Sequence, residues 1–450
     1  MSVAQGSALL HFTRNGAYGP DGAELLVLER GEGAYVFDTH GNRYVDGLSS
    51  LYCAQIGYSF GEEMGAVATQ QLQELAFNTM WSTAHPRALE LADRLAGLAP
   101  DPINKVFFTS GGSESVEAAW KIARQYHVAN GEPQRLKAIA RRTAYHGVTL
   151  GALALTGVPA YKEIFGPPAL QVRHVSNTNA FRSELQGEAL TAKLLAELEA
   201  TILEEGPDTI SVIVAEPVQN AGGCLVPPPG YWPGLRELAD RYGILLHADE
   251  VITGFGRIGE WFAVERFGAT PDLITVAKGL TSAYAPMGAV LVSDRVAAPF
   301  YEDNRTLLHG ITFGGHPLSA TIALKNLEIF EREGVLENVN EHEAGLQERL
   351  LTLRDEFTII GDVRGAGFFW AVEFVKDDQN TRLDADERER LLRGYMPQAM
   401  LDAGLIARAD DRGDAVMQIA PPLISDDAIL DEIVEKMRTV LRGAEAVVLG

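Results

Sequence analysis

The chain has 450 residues, of which 46% are apolar and 22% charged, as expected for a globular enzyme with a large core. A formal net charge of −23 argues against nucleic-acid binding, because the phosphates would be repelled. With only two cysteines, no signal peptide and no apolar run long enough for a membrane span, we expect a cytoplasmic protein without a metal site, a disulfide framework or a membrane partner.

Residues 1–60 carry a hairpin signal, because two alternating runs flank the turn at 39–42. From residue 61 to 330, strand-like and helical patterns alternate, which predicts a mainly parallel sheet covered by helices. The predicted strands are 105–109, 138–140, 209–215, 244–248, 273–277 and 289–293, and the predicted helices are 113–129, 191–205, 234–241 and 295–301.

Two helices are predicted next, from Pro317 to about Phe330 and from Val335 to Phe357. The remaining pattern predicts strands at 368–375 and 416–419 and helices at 387–403 and 426–442, which is typical of a smaller α+β domain. We therefore predict a large domain over 61–330 and a small domain over 331–450, with which the N-terminal segment 1–60 packs.

Lys278 ends an apolar strand and is followed by turn-forming residues, so its amine is placed at the carboxyl edge of the sheet, where α/β proteins bind ligands. Asp249 ends the apolar run 244–248 at the same edge. Pyridoxal phosphate requires such a pair, because a lysine amine binds its aldehyde and a carboxylate keeps its ring nitrogen protonated. A structural ion pair between Lys278 and Asp249 is the alternative.

Three further motifs follow predicted strands. Gly112 and Ser113 open a helix after a strand, as phosphate-binding loops do, although Ser113 could be a plain N-cap. Tyr145 stands before His146-Gly147 and could stack on a planar ligand or simply lie on the surface. Glu216 ends the run 209–215 and could either face a cofactor or bind loop amides.

Residues 254–259 have the GxGxxG spacing of dinucleotide-binding folds. That fingerprint must follow a strand directly and open a helix, whereas here Asp249–Thr253 intervenes and no clear helix start follows. We reject a nicotinamide-binding function.

Together these motifs resemble the class III aminotransferases, pyridoxal phosphate enzymes of fold type I, and within them the ω-transaminases that use pyruvate. The resemblance runs from residue 33 to residue 423 and is most specific in DEVITGFGRIG (249–259), in the lysine 29 residues after Asp249, and in HGITFGGHP (309–317). It implies a large domain with a seven-stranded, mainly parallel sheet, a smaller α+β domain built from both ends of the chain, and a homodimer or tetramer with active sites at the interface.

The resemblance also implies a role for individual residues. Lys278 and Asp249 would be catalytic; Gly112, Ser113, Tyr145, Glu216, Asp249, Val251, Lys278 and the neighbouring subunit's Thr312 would bind pyridoxal 5'-phosphate. The substrate pocket would consist of Leu51, Tyr52, Tyr145, Ala221, Ile311, Arg408 and Trp81, the last from the partner subunit.

Arg408 would bind the carboxylate of pyruvate from a mobile loop. The family commonly has two residues between this arginine and a Gly-Asp pair, whereas here Arg408-Ala-Asp-Asp-Arg412-Gly-Asp leaves Arg412 as a rival. Alternatively, both arginines pair with nearby aspartates on the surface.

The function predicted from this resemblance is transfer of an amino group from an amine or ω-amino acid to pyruvate, giving alanine, by a ping-pong mechanism. An aminomutase, a decarboxylase or a catalytically inactive pyridoxal phosphate-fold binding protein remain alternatives, and the physiological amine is open.

Overall fold

The computed structural model describes residues 7–18, 24–302 and 305–450 of the chain. The strands are β1 Leu28–Glu32, β2 Tyr35–Asp38, β3 Arg43–Asp46, β4 Ile103–Thr109, β5 Lys137–Arg141, β6 Val172–Val175, β7 Ile210–Ala215, β8 Leu245–Asp249, β9 Leu273–Val276, β10 Gly288–Ser293, β11 Ile360–Ala366, β12 Phe369–Phe374, β13 Leu405–Ile406, β14 Arg408–Asp410 and β15 Val416–Ile419.

The helices are α1 Ser49–Tyr52, α2 Gly61–Glu74, α3 Pro86–Leu98, α4 Gly112–Ala129, α5 Leu150–Leu155, α6 Gly187–Glu205, α7 Tyr231–Tyr242, α8 Ala263–Arg266, α9 Asp294–Tyr301, α10 Pro317–Arg332, α11 Val335–Glu356, α12 Ala385–Arg388, α13 Met396–Asp402 and α14 Asp427–Leu449. A π-helix, Glu389–Tyr395, joins α12 to α13.

The central sheet has seven strands in the order β4-β10-β9-β8-β7-β5-β6. Six of these strands run in the same direction, and β10 runs opposite to them, antiparallel to β4 and β9. Every residue of β7, β8 and β9 is buried, because helices cover both faces, and this explains why these strands are continuous apolar runs rather than alternating ones. The predicted fold class, a fold type I large domain with a mainly parallel sheet, is confirmed.

Parallel strands place their carboxyl ends at one edge of the sheet. The chain leaves β4, β5, β7, β8 and β9 at that edge, so the segments that follow these strands converge there. The predicted site residues 112, 145, 216, 249 and 278 lie at or just after the ends of these five strands, in that order.

Two smaller sheets complete the fold. The N-terminal hairpin forms the sheet β1-β2-β3-β13, in which β3 pairs in parallel with β13 from the C-terminal part of the chain. The other sheet has the order β11-β12-β15-β14. The small part of the fold is therefore built from both ends of the chain, while the boundaries at 60 and 330 stay a proposal.

The structure differs from the sequence prediction at several elements. A single helix was predicted over 387–403, but its first half is the π-helix; Pro397 has no N–H to donate and crowds the carbonyl four residues earlier, which disfavours a regular α-helix there. The short strands β6, β13 and β14 were not predicted, because two to four residues give no readable periodicity.

The GxGxxG run at 254–259 forms turns rather than the start of a helix, and α8 begins only at Ala263. Within the ranges described above, no helix has the length and apolar character needed to cross a membrane.

Candidate active site

A cavity of about 180 Å³ opens at the carboxyl edge of the central sheet. Its walls contain most of the predicted cofactor residues: Gly112, Ser113, Tyr145, Glu216, Asp249, Val251 and Lys278. These residues are far apart in sequence, and the strand ends bring them together. His146, Gly147, Val218, Ile252, Thr253 and Ala277 complete the lining.

Lys278 begins a 3-10 turn directly after β9 and has a φ of 35°, a left-handed conformation that is strained for a residue with a Cβ. Burial lowers the pKa of its amine, although Cys53, Asp249 and Glu216 act in the opposite direction. Among the described residues, none forms a hydrogen bond or ion pair with Nζ. The alternative of a structural ion pair with Asp249 is therefore wrong.

Asp249 is held on both carboxylate oxygens. Oδ2 lies 2.7 Å from Nδ1 of His146, and Oδ1 accepts hydrogen bonds from the Thr275 hydroxyl at 3.0 Å and the Val251 N–H at 3.2 Å. Burial alone would raise the pKa of Asp249, but His146, His247 and these donors outweigh it, so the pKa lies below its ordinary value. The cavity therefore contains a buried carboxylate anion.

A second histidine lies behind this carboxylate. The Thr275 hydroxyl has one proton and gives it to Asp249, so it must accept its 2.9 Å contact from the Nε2–H of His247. Burial lowers the pKa of His247 to about 4, which keeps this ring neutral. His247, Thr275 and Asp249 thus form a directed chain of hydrogen bonds that ends at the cavity.

The phosphate-binding prediction falls on the start of α4. This helix begins at Gly112, and its first N–H groups have no partner within the helix, as in anion sites. The capping position belongs to Gly111, so the alternative of Ser113 as a plain N-cap is wrong. The Ser113 hydroxyl instead accepts the Val148 N–H at 3.2 Å.

Two glycines keep the space around the start of α4 open. A Cβ on Gly112 would lie 2.9 Å from Cγ1 of Val251, so only glycine lets the start of α4 approach that side chain. Gly147 has a φ of 120°, and a Cβ there would lie 2.4 Å from the Ser113 hydroxyl.

Glu216 fixes the loop that carries Tyr145. Its carboxylate accepts the Tyr145 N–H at 3.2 Å and the Asn220 N–H at 2.9 Å, and burial raises its pKa. The two alternatives for Glu216 are thus compatible, because the side chain binds loop amides and also lines the cavity. Tyr145 lines the cavity as well, which excludes a purely superficial position.

The two candidate arginines differ in the contacts that their side chains make. The side chain of Arg412 is only 5% exposed and binds Asp410 through three contacts of 2.5–3.0 Å, and its guanidinium lies 5.4 Å from the centre of the Tyr145 ring. Arg408 lies on β14, its side chain is 26% exposed, and its Nε is 3.6 Å from Asp410 without a hydrogen bond. The backbone of Arg408 is therefore in a strand, not in the mobile loop that was expected.

Both arginines influence the cavity electrostatically. The positive charge of Arg408 lowers the pKa of Lys278, after the larger effect of burial. Burial alone would raise the pKa of Asp410, but Arg412 and Arg408 lower it below its ordinary value. Neither arginine pairs with aspartates on an exposed surface, as the alternative supposed, since Asp410 is buried.

The other predicted substrate residues fall into two groups, one near the kinked turn α1 and buried Ala221, the other around a second cavity. Tyr52 is buried and donates to Gln418 at 2.7 Å, Leu51 is 51% exposed beside it in a kinked turn, and Ala221 is buried. Trp81 and Ile311 instead line a separate, mainly apolar cavity of about 740 Å³. Trp81 and Thr312 are exposed. The lining of the Lys278 cavity in the same chain contains none of Trp81, Ile311 and Thr312, and it does not contain Tyr52, Leu51, Ala221 or Arg408 either.

The lining suits pyridoxal phosphate on several counts. It offers an amine without a partner, a buried carboxylate anion, and a helix N-terminus kept accessible by glycine. Tyr145 and Val251 provide an aromatic and a branched aliphatic surface in the same cavity.

Sequence reasoning missed His146, Thr275 and His247. A signal existed for His247, because residues two apart on a strand point to the same face and His247 precedes Asp249 by two on β8. Thr275 lies opposite Asp249 in the β8–β9 pairing, which only the register reveals. His146 is part of the motif quoted for Tyr145, but nothing in its sequence context indicates a bond to a residue 103 positions away.

The comparisons with known proteins agree with this geometry. The family model "Aminotransferase class-III" matches residues 18–441. A protein of Mycobacterium tuberculosis described as a probable aminotransferase is 46% identical over 96% of this chain and 92% of its own length. The putrescine–pyruvate aminotransferase of Pseudomonas aeruginosa is 37% identical over 94% of this chain and 92% of its own.

Solved structures show the same similarity. A thermostable (S)-enantioselective ω-transaminase from Thermomicrobium roseum superposes with a TM-score of 0.92 at 40% identity, covering 98% of this chain and 97% of its own. The ω-transaminase of Pseudomonas jessenii, solved in complex with PMP, has a TM-score of 0.91 at 35% identity, with coverage of 98% and 97%. The chain belongs to the class III aminotransferases, a family that uses pyridoxal phosphate.

Proposed function

We propose that the protein transfers an amino group from an amine or ω-amino acid to pyruvate, giving alanine, by a ping-pong mechanism. The observation that carries the proposal is that Lys278, which has no hydrogen bond or ion pair to any described residue, lines the cavity together with the buried carboxylate of Asp249. The side chain of Arg408, which has no hydrogen bond to any described residue, supports it. The amine of Lys278 can transfer a proton, and the guanidinium of Arg408 can bind a substrate carboxylate.

Bound pyridoxal phosphate supplies a conjugated ring that accepts the electron pair left when a proton leaves the substrate carbon. Asp249 would face the ring nitrogen and hold its proton, which a buried anion with a lowered pKa is suited to do. His146 and Thr275 fix the two oxygens of that carboxylate in place. The start of α4, with Gly112 and Ser113, would hold the phosphate, and Tyr145 and Val251 would enclose the ring.

Lys278 would hold the cofactor and then move the proton between the substrate carbon and the cofactor. Burial lowers the pKa of its amine and so increases the neutral fraction, which is the form that can accept a proton. Its Nζ has no competing bond to any described residue, so the side chain can change position without breaking an ion pair.

Arg408 would bind the carboxylate of pyruvate. Its side chain has no hydrogen bond to any described residue, whereas Arg412 is fully engaged with Asp410. A partly exposed arginine with a long side chain can approach a substrate carboxylate in one half-reaction and move away from the substrate in the other. The apolar amine donor then meets Tyr52, Leu51, Tyr145 and Ala221.

We further propose a homodimer with shared active sites. Two of the predicted shared residues, Trp81 and Ile311, line the separate cavity of about 740 Å³, and the third, Thr312, is exposed. Side chains in these positions can reach the active site of a neighbouring subunit. Phe77 and Phe313 pack against each other nearby while remaining 43% and 59% exposed, an apolar surface of the kind that subunit contacts cover.

The test is a donor panel of β-alanine, putrescine, taurine and 1-phenylethylamine, assayed for alanine formation with pyruvate and for glutamate formation with 2-oxoglutarate. The proposal requires alanine from at least one donor and a pyruvate rate well above the 2-oxoglutarate rate. Turnover of an amine without any keto acid would favour an aminomutase or a decarboxylase. A protein that binds the cofactor but turns over no donor would favour a non-catalytic binding role.

A further inference from the structure

Asp410 lies between Arg408 and Arg412 where β14 turns toward β15. Its Oδ1 accepts hydrogen bonds from the backbone N–H of Arg412 at 3.0 Å and from the Nε–H of the same residue at 2.9 Å. Its Oδ2 accepts a hydrogen bond from Nη2 of Arg412 at 2.5 Å. The Nε of Arg408 lies 3.6 Å from the same Oδ2. Asp410 is therefore a buried carboxylate shared unequally by two arginines.

The turn that holds Asp410 cannot easily move away. Arg388 donates to the carbonyl oxygens of Asp411 and Gly413 at 2.8 and 2.5 Å, and Arg393 pairs with the Asp411 side chain at 2.6 Å. On the other side, Arg382 pairs with Asp414 at 2.5 Å. These contacts fix the backbone around Asp410, so the Arg408 side chain is the free element.

Two guanidinium groups share the single negative charge of Asp410, so the charge of Arg408 is compensated only in part. Arg412 takes up the bidentate position, and Arg408 is attracted at longer range without a hydrogen bond. A substrate carboxylate that binds Arg408 must therefore draw it away from an internal carboxylate already close by.

We propose that Asp410 is a specificity-determining residue: an internal carboxylate that competes with the substrate carboxylate for Arg408. Without a carboxylate substrate, Asp410 compensates part of the positive charge of Arg408, so carboxyl-free amines and carbonyl compounds do not meet an unpaired cation. With pyruvate, Arg408 turns from Asp410 to the substrate while Arg412 keeps Asp410 paired. The residues that separate Arg408 from Gly413 thereby set the balance between acidic and carboxyl-free substrates.

This inference rests on the proposed function, and its test compares two acceptors on the holoenzyme. With 1-phenylethylamine as donor, the ratio of kcat/KM for pyruvate to kcat/KM for butanal is measured for the wild type and for Asp410→Asn. Removing the internal carboxylate should raise this ratio about fivefold, chiefly through a lower KM for pyruvate. A purely structural role would change both acceptors together.

Two variants serve as controls. Asp411→Asn makes the same charge change one residue away, where the carboxylate pairs with Arg393, and should leave the ratio within twofold. Asp410→Glu keeps a carboxylate and extends it toward Arg408, so it should raise the KM for pyruvate at least twofold and leave butanal unchanged.

Calorimetric titration of each holoenzyme with propanoate gives a readout independent of turnover. Asp410→Asn should bind propanoate at least threefold more tightly than the wild type.

The inference is overturned if the acceptor ratio rises less than threefold, if propanoate affinity does not increase, or if Asp411→Asn has the same effect. Should Asp410→Asn fail to retain cofactor, an unchanged pyruvate KM in Asp410→Glu overturns it. A wild type that makes no alanine from pyruvate refutes the proposed function instead.

Discussion

His146 donates from Nδ1 to Oδ2 of Asp249 across 2.7 Å, and both side chains are buried at the edge of the central sheet. Asp249 is an anion and can only accept, so this ring nitrogen must carry the proton. The other ring nitrogen, Nε2, is buried without a hydrogen-bond partner among the described residues. The His146 ring therefore bonds only to the Asp249 carboxylate among the described residues, as expected for a residue that positions Asp249.

His146→Gln tests this role through the pH profile. Because His146 helps to lower the pKa of Asp249, its loss should raise that pKa, and the acid limb of kcat/KM should move to higher pH. At pH 8 the loss of a hydrogen bond to a charged group, worth about 1.5–3 kcal/mol, should lower kcat roughly 10- to 100-fold. An unshifted acid limb with wild-type kcat would contradict the assignment.

Glu250 follows Asp249 but is not part of the cavity lining; its carboxylate accepts from the Thr253 hydroxyl at 2.5 Å and the Val264 N–H at 2.9 Å. Burial raises its pKa from 4.5 to about 7. The unfolded chain ionises this group from about pH 4.5 upward while the folded chain keeps it neutral, so stability is lost as the pH rises through 7.

Glu250→Gln should therefore be more stable than the wild type at pH 8, by roughly 1–3 kcal/mol, and show little difference at pH 4.5. Urea unfolding at the two pH values measures this. Glu260→Gln, exposed in the same turn region, is the matched control and should show no such pH dependence. An equal difference at both pH values would show that ionisation of Glu250 is not responsible.

The sequence allowed prediction of the sheet and of the convergence of residues at its edge. Apolar runs interrupted by helical patterns indicate parallel strands, and such strands end at one edge, so Asp249 and Lys278 could be placed together. Contacts such as His146 with Asp249 depend on side-chain directions across the sheet, which no local pattern encodes. The fixed turn after Arg408 was also missed, because its anchors Arg388, at the end of α12, and Arg393, in the π-helix, come from a stretch that periodicity reads as one ordinary helix.

Thr312→Ala tests the shared site. Thr312 is exposed and does not line the Lys278 cavity of its own chain, so its predicted contact with the cofactor phosphate requires a second subunit. Loss of its hydroxyl should weaken cofactor retention roughly tenfold, and removal of cofactor should in turn loosen the dimer. Thr352→Ala, on the exposed face of α11, should have no effect. Sedimentation of an active monomer would refute the shared site.

Arg408→Ala should raise the KM for pyruvate roughly 10- to 100-fold, since a charge-assisted pair is worth about 1.5–3 kcal/mol. The half-reaction with 1-phenylethylamine, followed by single-turnover spectroscopy, should change less than twofold because that donor has no carboxylate. Arg412→Ala should instead lower the free energy of unfolding, because it removes the bidentate partner of buried Asp410. If Arg412→Ala shows the pyruvate-specific effect and Arg408→Ala does not, the two arginines have exchanged roles.

The central claim is that Lys278 is the amine that holds the cofactor and moves the proton. Borohydride reduction of the holoenzyme, followed by peptide mapping, locates the lysine to which the cofactor becomes permanently fixed. We predict the added mass on the peptide that contains Lys278, and we predict that Lys278→Ala remains folded but loses essentially all turnover. Attachment to another lysine, or near wild-type transamination by Lys278→Ala, would contradict it.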